Sequence, residues 1–350
     1  MVEKVLQAPF LGSTISKLRG RTPAVVVVTL SVALAAFMTI GGGSGRLVNI
    51  LVTGGMWALL AAGLALVFGV MNIPTFAHGE SFMIGAYVGY YVFNPIHNHL
   101  ADSPSRALML LGPLIAVLAA AVAGIIVGVI TERMVLAPLR RRTRDGWIMN
   151  TFLLTAGISF ILINGATIVM GANFMGIPHY YDVHPVEVLG LRVSVDRLMA
   201  FAIAVVIIAL LTWFMKWTRT GRAIRAVSQD EAGAEMVGIN LNYIHTLTYA
   251  LSTAMAAAAG AALLFMFQAY PTVGHDPNYF AWYVVMLVGF GNIYGAVIGG
   301  FIVALLQAAT QQYIGIAWSD VVPTFVMILI LIVVPSGIFG SVVKGIHEQS

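Results

Sequence analysis

The chain has 350 residues, of which 59% are hydrophobic and only 9% charged. A water-facing domain carries about 25% charged residues, so a soluble enzyme is excluded, and the mean hydropathy of +0.92 agrees. Cysteine is absent, which removes disulfides, thiolate metal sites and thiol chemistry, while the net charge of +4 has meaning only through the placement of the basic residues.

A spanning helix needs about 20 apolar residues. Apolar runs predict ten spans, at 24–41, 47–71, 79–93, 108–137, 148–171, 198–217, 246–269, 279–290, 296–313 and 321–340. The expected fold is an all-α integral membrane protein. A cytoplasmic segment 1–23 precedes one membrane domain, 24–340, with a cytoplasmic loop at 218–245 and a tail at 341–350. The fourth span is long enough to project from the bilayer. The third and eighth are too short to cross ~30 Å of hydrocarbon upright and are expected to be short or discontinuous. Ala33-Leu34-Ala35 resembles a signal-peptide cleavage site, but the long polar lead and the even span count favour an uncleaved anchor. Gly41-Gly42-Gly43-Ser44-Gly45 reads as an external turn.

Basic residues set the sidedness. With both termini inside, fourteen of the eighteen Lys and Arg residues are cytoplasmic, in the N-terminal lead, in 133–144, in 216–225 and at Lys344. Only Arg46, Arg106, Arg192 and Arg197 lie outside. That asymmetry is the positive-inside pattern. Trp57, Trp147, Trp213, Trp217, Trp282 and Trp318 mostly flank span ends, as an interfacial belt would.

Two places in the chain echo each other. Pro74-Thr75-Phe76-Ala77-His78 follows span two, and Pro271-Thr272-Val273-Gly274-His275 follows span seven. Each is followed by a truncated apolar segment, and the two copies face opposite sides. An inverted repeat pairing spans two to five with seven to ten would give this, and such breaks point to a transport site. Around the first copy, Asn72, Thr75, His78 and Glu80 gather an amide, a hydroxyl, an imidazole and a carboxylate at membrane depth, where polar groups are expensive. Glu80 could equally complement a helix dipole. Asn49, Gly54, Gly55, Gly63 and Gly69 read as close helix packing.

The loop 218–245 is the most informative stretch. Ser228-Gln229-Asp230-Glu231 has the form of a capping box, with Ser228 capping the first turn. Ala232, Ala234, Glu235 and Met236 continue a helix over 229–238 that Gly238 stops. It is a surface helix or a docking element for a cytoplasmic partner.

Thr220-Gly221-Arg222-Ala223-Ile224-Arg225-Ala226-Val227, followed by Asp230, Ala232, Ala234 and Gly238-Ile239-Asn240, resembles the cytoplasmic loop of branched-chain amino acid-type permease subunits of bacterial ABC importers. Asn72-Ile73-Pro74-Thr75-Phe76-Ala77-His78-Gly79-Glu80 is similar to that family's N-F-A-H-G-E motif. Gly289-Phe290-Gly291-Asn292-Ile293-Tyr294-Gly295-Ala296 resembles its glycine-rich run, and Pro335-Ser336-Gly337-Ile338-Phe339-Gly340 its closing motif. The motifs keep the family's order from about residue 49 to 340. Departures are the Pro74-Thr75 variation, Phe290 for a glycine and the lack of a basic residue before Pro335.

The resemblance implies a coupling helix seated on an ATP-binding subunit, through Asp230, Glu231, Ala232, Ala234, Gly238, Ile239 and Asn240. Candidates for a transport pathway or gate are Asn72, Thr75, His78 and Glu80, as polar residues at membrane depth, with Thr272, Gly289 and Gly291. The implied partners are a second permease subunit, two ATP-binding subunits, a solute-binding protein and membrane lipid. No nucleic acid, and no cofactor or metal on this chain, is expected: ATP and Mg²⁺ belong to the partners, and the sequence contains no G-x-x-x-x-G-K-[S/T] phosphate loop.

His97, His99, His179, His184 and His275 fall outside but match no tight metal-ligand spacing. His97 and Asp102 form an H-x-x-x-x-D string without acyl-transfer machinery around it. H-E-x-x-H and G-x-S-x-G are absent. An ion-coupled carrier or channel would show acidic or His chains within the spans. Here only Glu80 and Glu132-Arg133 come near membrane depth. The expected mechanism is alternating access, with a binding protein docking on 172–197 and 270–278 and the short segments flanking the pathway. Branched-chain amino acids lead as substrate by resemblance; urea, short amides or sugars follow.

Overall fold

The computed structural model describes residues 27–29, 31, 34, 45–102, 106–142, 147–177, 179–181, 185–188 and 191–339. Both chain ends, the glycine-rich turn before Gly45, His184, and most of the predicted first span, including Ala33 and Ala35 of its Ala33-Leu34-Ala35 string, lie outside the described residues.

The first half contains α1 (Gly45–Met71), α2 (His78–Asp102), α3 (Arg106–Thr131), a π turn (Glu132–Leu136), α4 (Ala137–Arg142) and α5 (Trp147–Met170). A hairpin of β1 (Val186–Val188) and β2 (Leu191–Val193) leads into α6 (Val195–Trp217). Then come α7 (Arg219–Gln229), α8 (Glu231–Met236), α9 (Leu241–Ala262) and α10 (His275–Val288). The chain closes with α11 (Ile293–Tyr313), a 3-10 turn (Ile316–Trp318) and α12 (Val321–Val333).

Apart from the hairpin the protein is all-α, as a chain in lipid must be to satisfy its backbone polar groups internally. Six described stretches are long and apolar enough to span: Leu47–Met71, Leu111–Arg142, Trp147–Met170, Val195–Trp217, Ile293–Tyr313 and Ile316–Val333. The apolar window of α1 is 89% buried and that of α5 only 6%. Helix α1 is therefore enclosed by protein, whereas α5 presents nearly all of its surface outward.

Packing is duplicated between two halves. Helix α1 lies along α11 as α9 lies along α3, and α1 packs on α10 as α9 packs on α2. Helices α2 and α3 are neighbours, as are α10 and α11; the lead helices α1 and α9 also touch. Small residues permit these approaches. A side chain on Gly300 of α11 would strike the Ala58 backbone of α1, and one on Gly128 of α3 would strike the Ala250 backbone of α9. The duplicated pairs match spans two to four with seven to nine of the predicted repeat.

Some elements differ from expectation. The third segment is not short: α2 is a 25-residue helix, ~37 Å long at 1.5 Å per residue. The polar residues Asn94, His97, Asn98 and His99 continue it past the apolar run, with Pro95 carried inside. The eighth is short as expected, since α10 has 14 residues and spans ~21 Å. Trp57 departs from the interfacial belt: it is buried, stacked on Phe280 and donates Nε1–H to Gln307 at 3.2 Å.

Candidate functional site

Helix α1 ends where Asn72 adopts a left-handed φ of +52°, a conformation Asn tolerates better than most residues. The chain is then non-helical until His78 opens α2. Thr75 is buried with its hydroxyl 3.5 Å from that of Tyr249. The His78 ring is enclosed between the Leu60 carbonyl at 3.1 Å and the Ser252 hydroxyl at 3.3 Å. Glu80 is 3% exposed and accepts from Ser159 Oγ at 2.6 Å. Phe76 donates its N–H to Thr155 at 3.3 Å, accepts from Asn278 Nδ2 at 3.2 Å, and places its ring against Phe152 and Trp282.

The second break ends where His275 opens α10. Each P-T-x-x-H copy thus puts its histidine at the first residue of a helix. The two helix starts meet at Gly79 and Gly274, where a Cβ on either would collide with the other's carbonyl. Only glycine allows that approach. Equivalence stops at the side chains: Thr75 and His78 are buried, while Thr272 is exposed and His275 half-buried. Asn72, Thr75, His78 and Glu80 are therefore brought to one break, and Thr272 is left at the surface.

Gly289 and Gly291 sit elsewhere, in the turn between α10 and α11 with φ of +103° and +80°. Gly291 abuts Gly69, and Gly337 abuts Gly289. Ile338 and Phe339 donate their N–H groups to Leu287 and Val288 at 2.9 Å each. Asn292 caps α11 through Gly295 N–H and donates to the Phe339 carbonyl at 3.0 Å. The glycine-rich run and the closing motif, about 45 residues apart, are thus one structural knot. Beside it, a cavity of ≈ 660 Å³ is lined by Asn72, Gly291, the inner face of α7 and Glu231. Among the predicted pathway residues, only Asn72 and Gly291 reach it.

The loop 218–245 is built of two helices, not one. Gly221, Ile224 and Val227 bury one face of α7, and Thr218 caps its start by accepting from Gly221 N–H at 2.9 Å. Ser228 lies inside this helix and donates back to the Arg225 carbonyl at 2.8 Å, so it is not the cap of the next one. That cap is Asp230, extended at φ −155°, which accepts from Gly233 N–H at 3.0 Å. The expected helix over 229–238 is accordingly six residues, 231–236. Its end is as expected: Gly238 has φ +87°, and Gly238 and Ile239 donate to the carbonyls of Glu235 and Ala234 at 2.9 and 3.0 Å. This is a Schellman closure. Asn240 caps α9 through Tyr243 N–H at 3.1 Å. Ala234 anchors α8, whereas Asp230, Glu231, Ala232, Gly238 and Asn240 are exposed and Ile239 half-buried. Met236 and Val237 form an apolar tip that is 84% and 78% exposed. Sequence reasoning treated Met236 only as a helix former.

A second group was missed because its members are far apart in the chain. Buried Glu132 accepts from Arg140 at 3.0 Å and from Thr246 at 2.6 Å, one bond per oxygen. Arg140 also reaches Asn242 at 3.4 Å and lies over the Trp147 ring, 5.9 Å from its centroid. Glu231 of α8 approaches His245 of α9 at 3.5 Å. Partial burial pushes the Glu231 carboxyl above the usual range; Arg140 opposes this and Glu235 adds to it. The π turn beginning at Glu132 fits such a place, since π turns inside α-helices are frequent at functional positions.

Comparison with known proteins bears on all of these parts together. The family model "Branched-chain amino acid transport system / permease component" matches residues 46–331, which include both breaks, helices α7 and α8 and the Glu132 group. The chain belongs to that family. The protein is thus a multi-pass membrane permease component. It is 31% identical over 304 residues to the high-affinity branched-chain amino acid transport system permease protein BraD of Pseudomonas aeruginosa, over 84% of this chain and 95% of the relative. Identity to LivH of Salmonella typhimurium, a permease protein of the same description, is 29% over 300 residues, with 84% and 94% covered. A more distant relative, the fructose import permease protein FruG of Bifidobacterium longum, is 25% identical over 272 residues, 75% of this chain and 76% of its own. No solved structure matches.

Proposed function

We propose that this permease is one of the membrane subunits of an ATP-driven importer of branched-chain amino acids. A solute-binding protein would deliver the substrate, a second permease subunit would complete the pathway, and two cytoplasmic subunits would bind ATP and Mg²⁺. The observation that carries the proposal is α8: a short, capped helix in the loop between α6 and α9, rigidly closed at both ends, with the apolar tip of Met236 and Val237 exposed. Large exposed apolar groups on a polar loop mark a docking surface. Asn240, the cap of α9, follows its Schellman stop directly, and Glu231 faces His245. A push on α8 therefore passes to α9, the helix that packs against α1, α2 and α3.

Bulky replacements of Glu231 or Gly238 test this. In complexes reconstituted with the ATP-binding subunits, they are expected to hydrolyse ATP without accumulating substrate. Normal ATP-driven uptake by both variants would remove α8 from the mechanism. The kinship with a fructose permease supports a second substrate reading. Competition of leucine against fructose for uptake in the same vesicles separates the two.

A further inference from the structure

Three carboxylates are buried among the described residues: Glu80, Glu132 and Asp196. Glu132 has a donor on each oxygen. Asp196 is fuller still, accepting from the N–H groups of Tyr180 and Tyr181 at 2.9 Å on one oxygen, with His179 and Ser194 each 3.2 Å from the other. Glu80 differs. Ser159 satisfies Oε1, but Oε2 accepts no hydrogen bond among the described residues.

Two further orphans stand with it. Asn278, 6% exposed, spends its amide N–H on Phe76 and leaves Oδ1 without a donor; Trp282 has an enclosed Nε1–H without an acceptor. Glu80 and Asn278 occupy the first turns of α2 and α10, the helices that abut at Gly79 and Gly274, and the Asn278 Cβ lies 2.8 Å from where a Gly79 Cβ would stand. The Trp282 ring stacks on Phe76 in the same break, with centroids 5.5 Å apart. Unmet buried groups of this kind each cost about 1–3 kcal/mol, more when charged, and at membrane depth they mark function.

We propose that Glu80 and Asn278 form an intramembrane site for the ammonium group of an α-amino acid, whose carboxylate accepts from Trp282. The chemistry is complementary. The orphans are two acceptor oxygens, one of them on a carboxyl that an adjacent ammonium would hold ionised, and one donor; an ammonium supplies donors only and a carboxylate acceptors only. The rings of Phe76, Phe152 and Trp282 give an apolar side chain a surface to lie on. A sugar hydroxyl can also donate to a carboxylate, but a sugar brings no positive charge to balance a buried one. This site rests on the permease proposal and names what that permease recognises.

The test uses the complete transporter in lipid nanodiscs, without binding protein, warmed in the presence of leucine, its deaminated acid or its decarboxylated amine. Leucine is expected to raise the melting temperature of the wild type more than either analogue. Glu80→Gln keeps the shape and should lose the leucine response, and lower ATP-driven uptake in the full system about ten-fold or more, the equivalent of one charge-assisted hydrogen bond. Trp282→Phe keeps the stacking and should lose the response to the deaminated acid while keeping that to the amine. A Glu80→Gln complex that responds to leucine and transports it as the wild type does would overturn the site; should that variant not fold, an unchanged Trp282→Phe response to both analogues would do the same. If the wild type itself shows no ATP-driven uptake of leucine, the permease proposal fails instead.

Discussion

Glu132 and Glu80 are both carboxylates enclosed by helices, yet one is answered and the other is not. Glu132, at the π turn, is locked between Arg140 of α4 and Thr246 of α9. Glu80, at the start of α2, keeps one oxygen bare beside two further bare groups. The first arrangement meets both oxygens of its carboxylate, although Arg140 Nη1 beside it is unmet, and holds three helices in register; the second leaves the carboxylate itself unmet where the two halves of the molecule meet. A buried ion pair adds little net stability compared with apolar packing, but removing one member is costly. The Glu132 group is thus a device of position, and the break, by the site proposed above, one of recognition.

Replacing one carboxyl at a time breaks this comparison most sharply. Glu132→Gln strands a half-buried guanidinium and is expected to destabilise the protein by about 3 kcal/mol, read as a lower melting temperature in nanodiscs. Glu80→Gln should leave the ligand-free melting temperature unchanged or raise it. Equal losses at both positions would erase the distinction. A smaller effect is expected where the two halves touch: Gly274→Ala drives a methyl into the Gly79 carbonyl, and overpacking of this kind costs about 1–3 kcal/mol. Smaller again, Asp230→Ala removes the cap of α8 for about 1 kcal/mol, visible as faster hydrogen exchange at Gly233. At the lower end, Val237→Ser should leave stability alone and weaken binding of the ATP-binding subunits in a pull-down. A stable complex with that variant would detach the apolar tip from docking.

The same contrast explains what the sequence could disclose. Helical membrane class, the breaks at 72–77 and before His275, and the stop at Gly238 are written in local chemistry: apolar runs, P-T-x-x-H strings, a glycine at a left-handed position. The cap was misplaced because Ser228, Asp230 and Glu231 are all eligible locally. The decision came from Gly221, Ile224 and Val227, whose burial extends α7 to Gln229 and absorbs Ser228. The third span looked short because apolarity ends before the helix does, at Asn94. Glu132 and Thr246 are 114 residues apart, and the Asn278–Phe76 bond joins residues 202 apart. No local pattern announces such pairs. Thr272 illustrates the reverse: the repeat made it look equivalent to Thr75, but only the backbone is duplicated, and its side chain is exposed.

The measurement that bears most directly on the central claim is uptake into liposomes holding this permease with its partner subunits. Branched-chain amino acid should accumulate only when ATP, the ATP-binding subunits and the loaded binding protein are all present, and an imposed proton or sodium gradient should add nothing. Accumulation driven by a gradient through this chain without ATP-binding subunits would contradict the account.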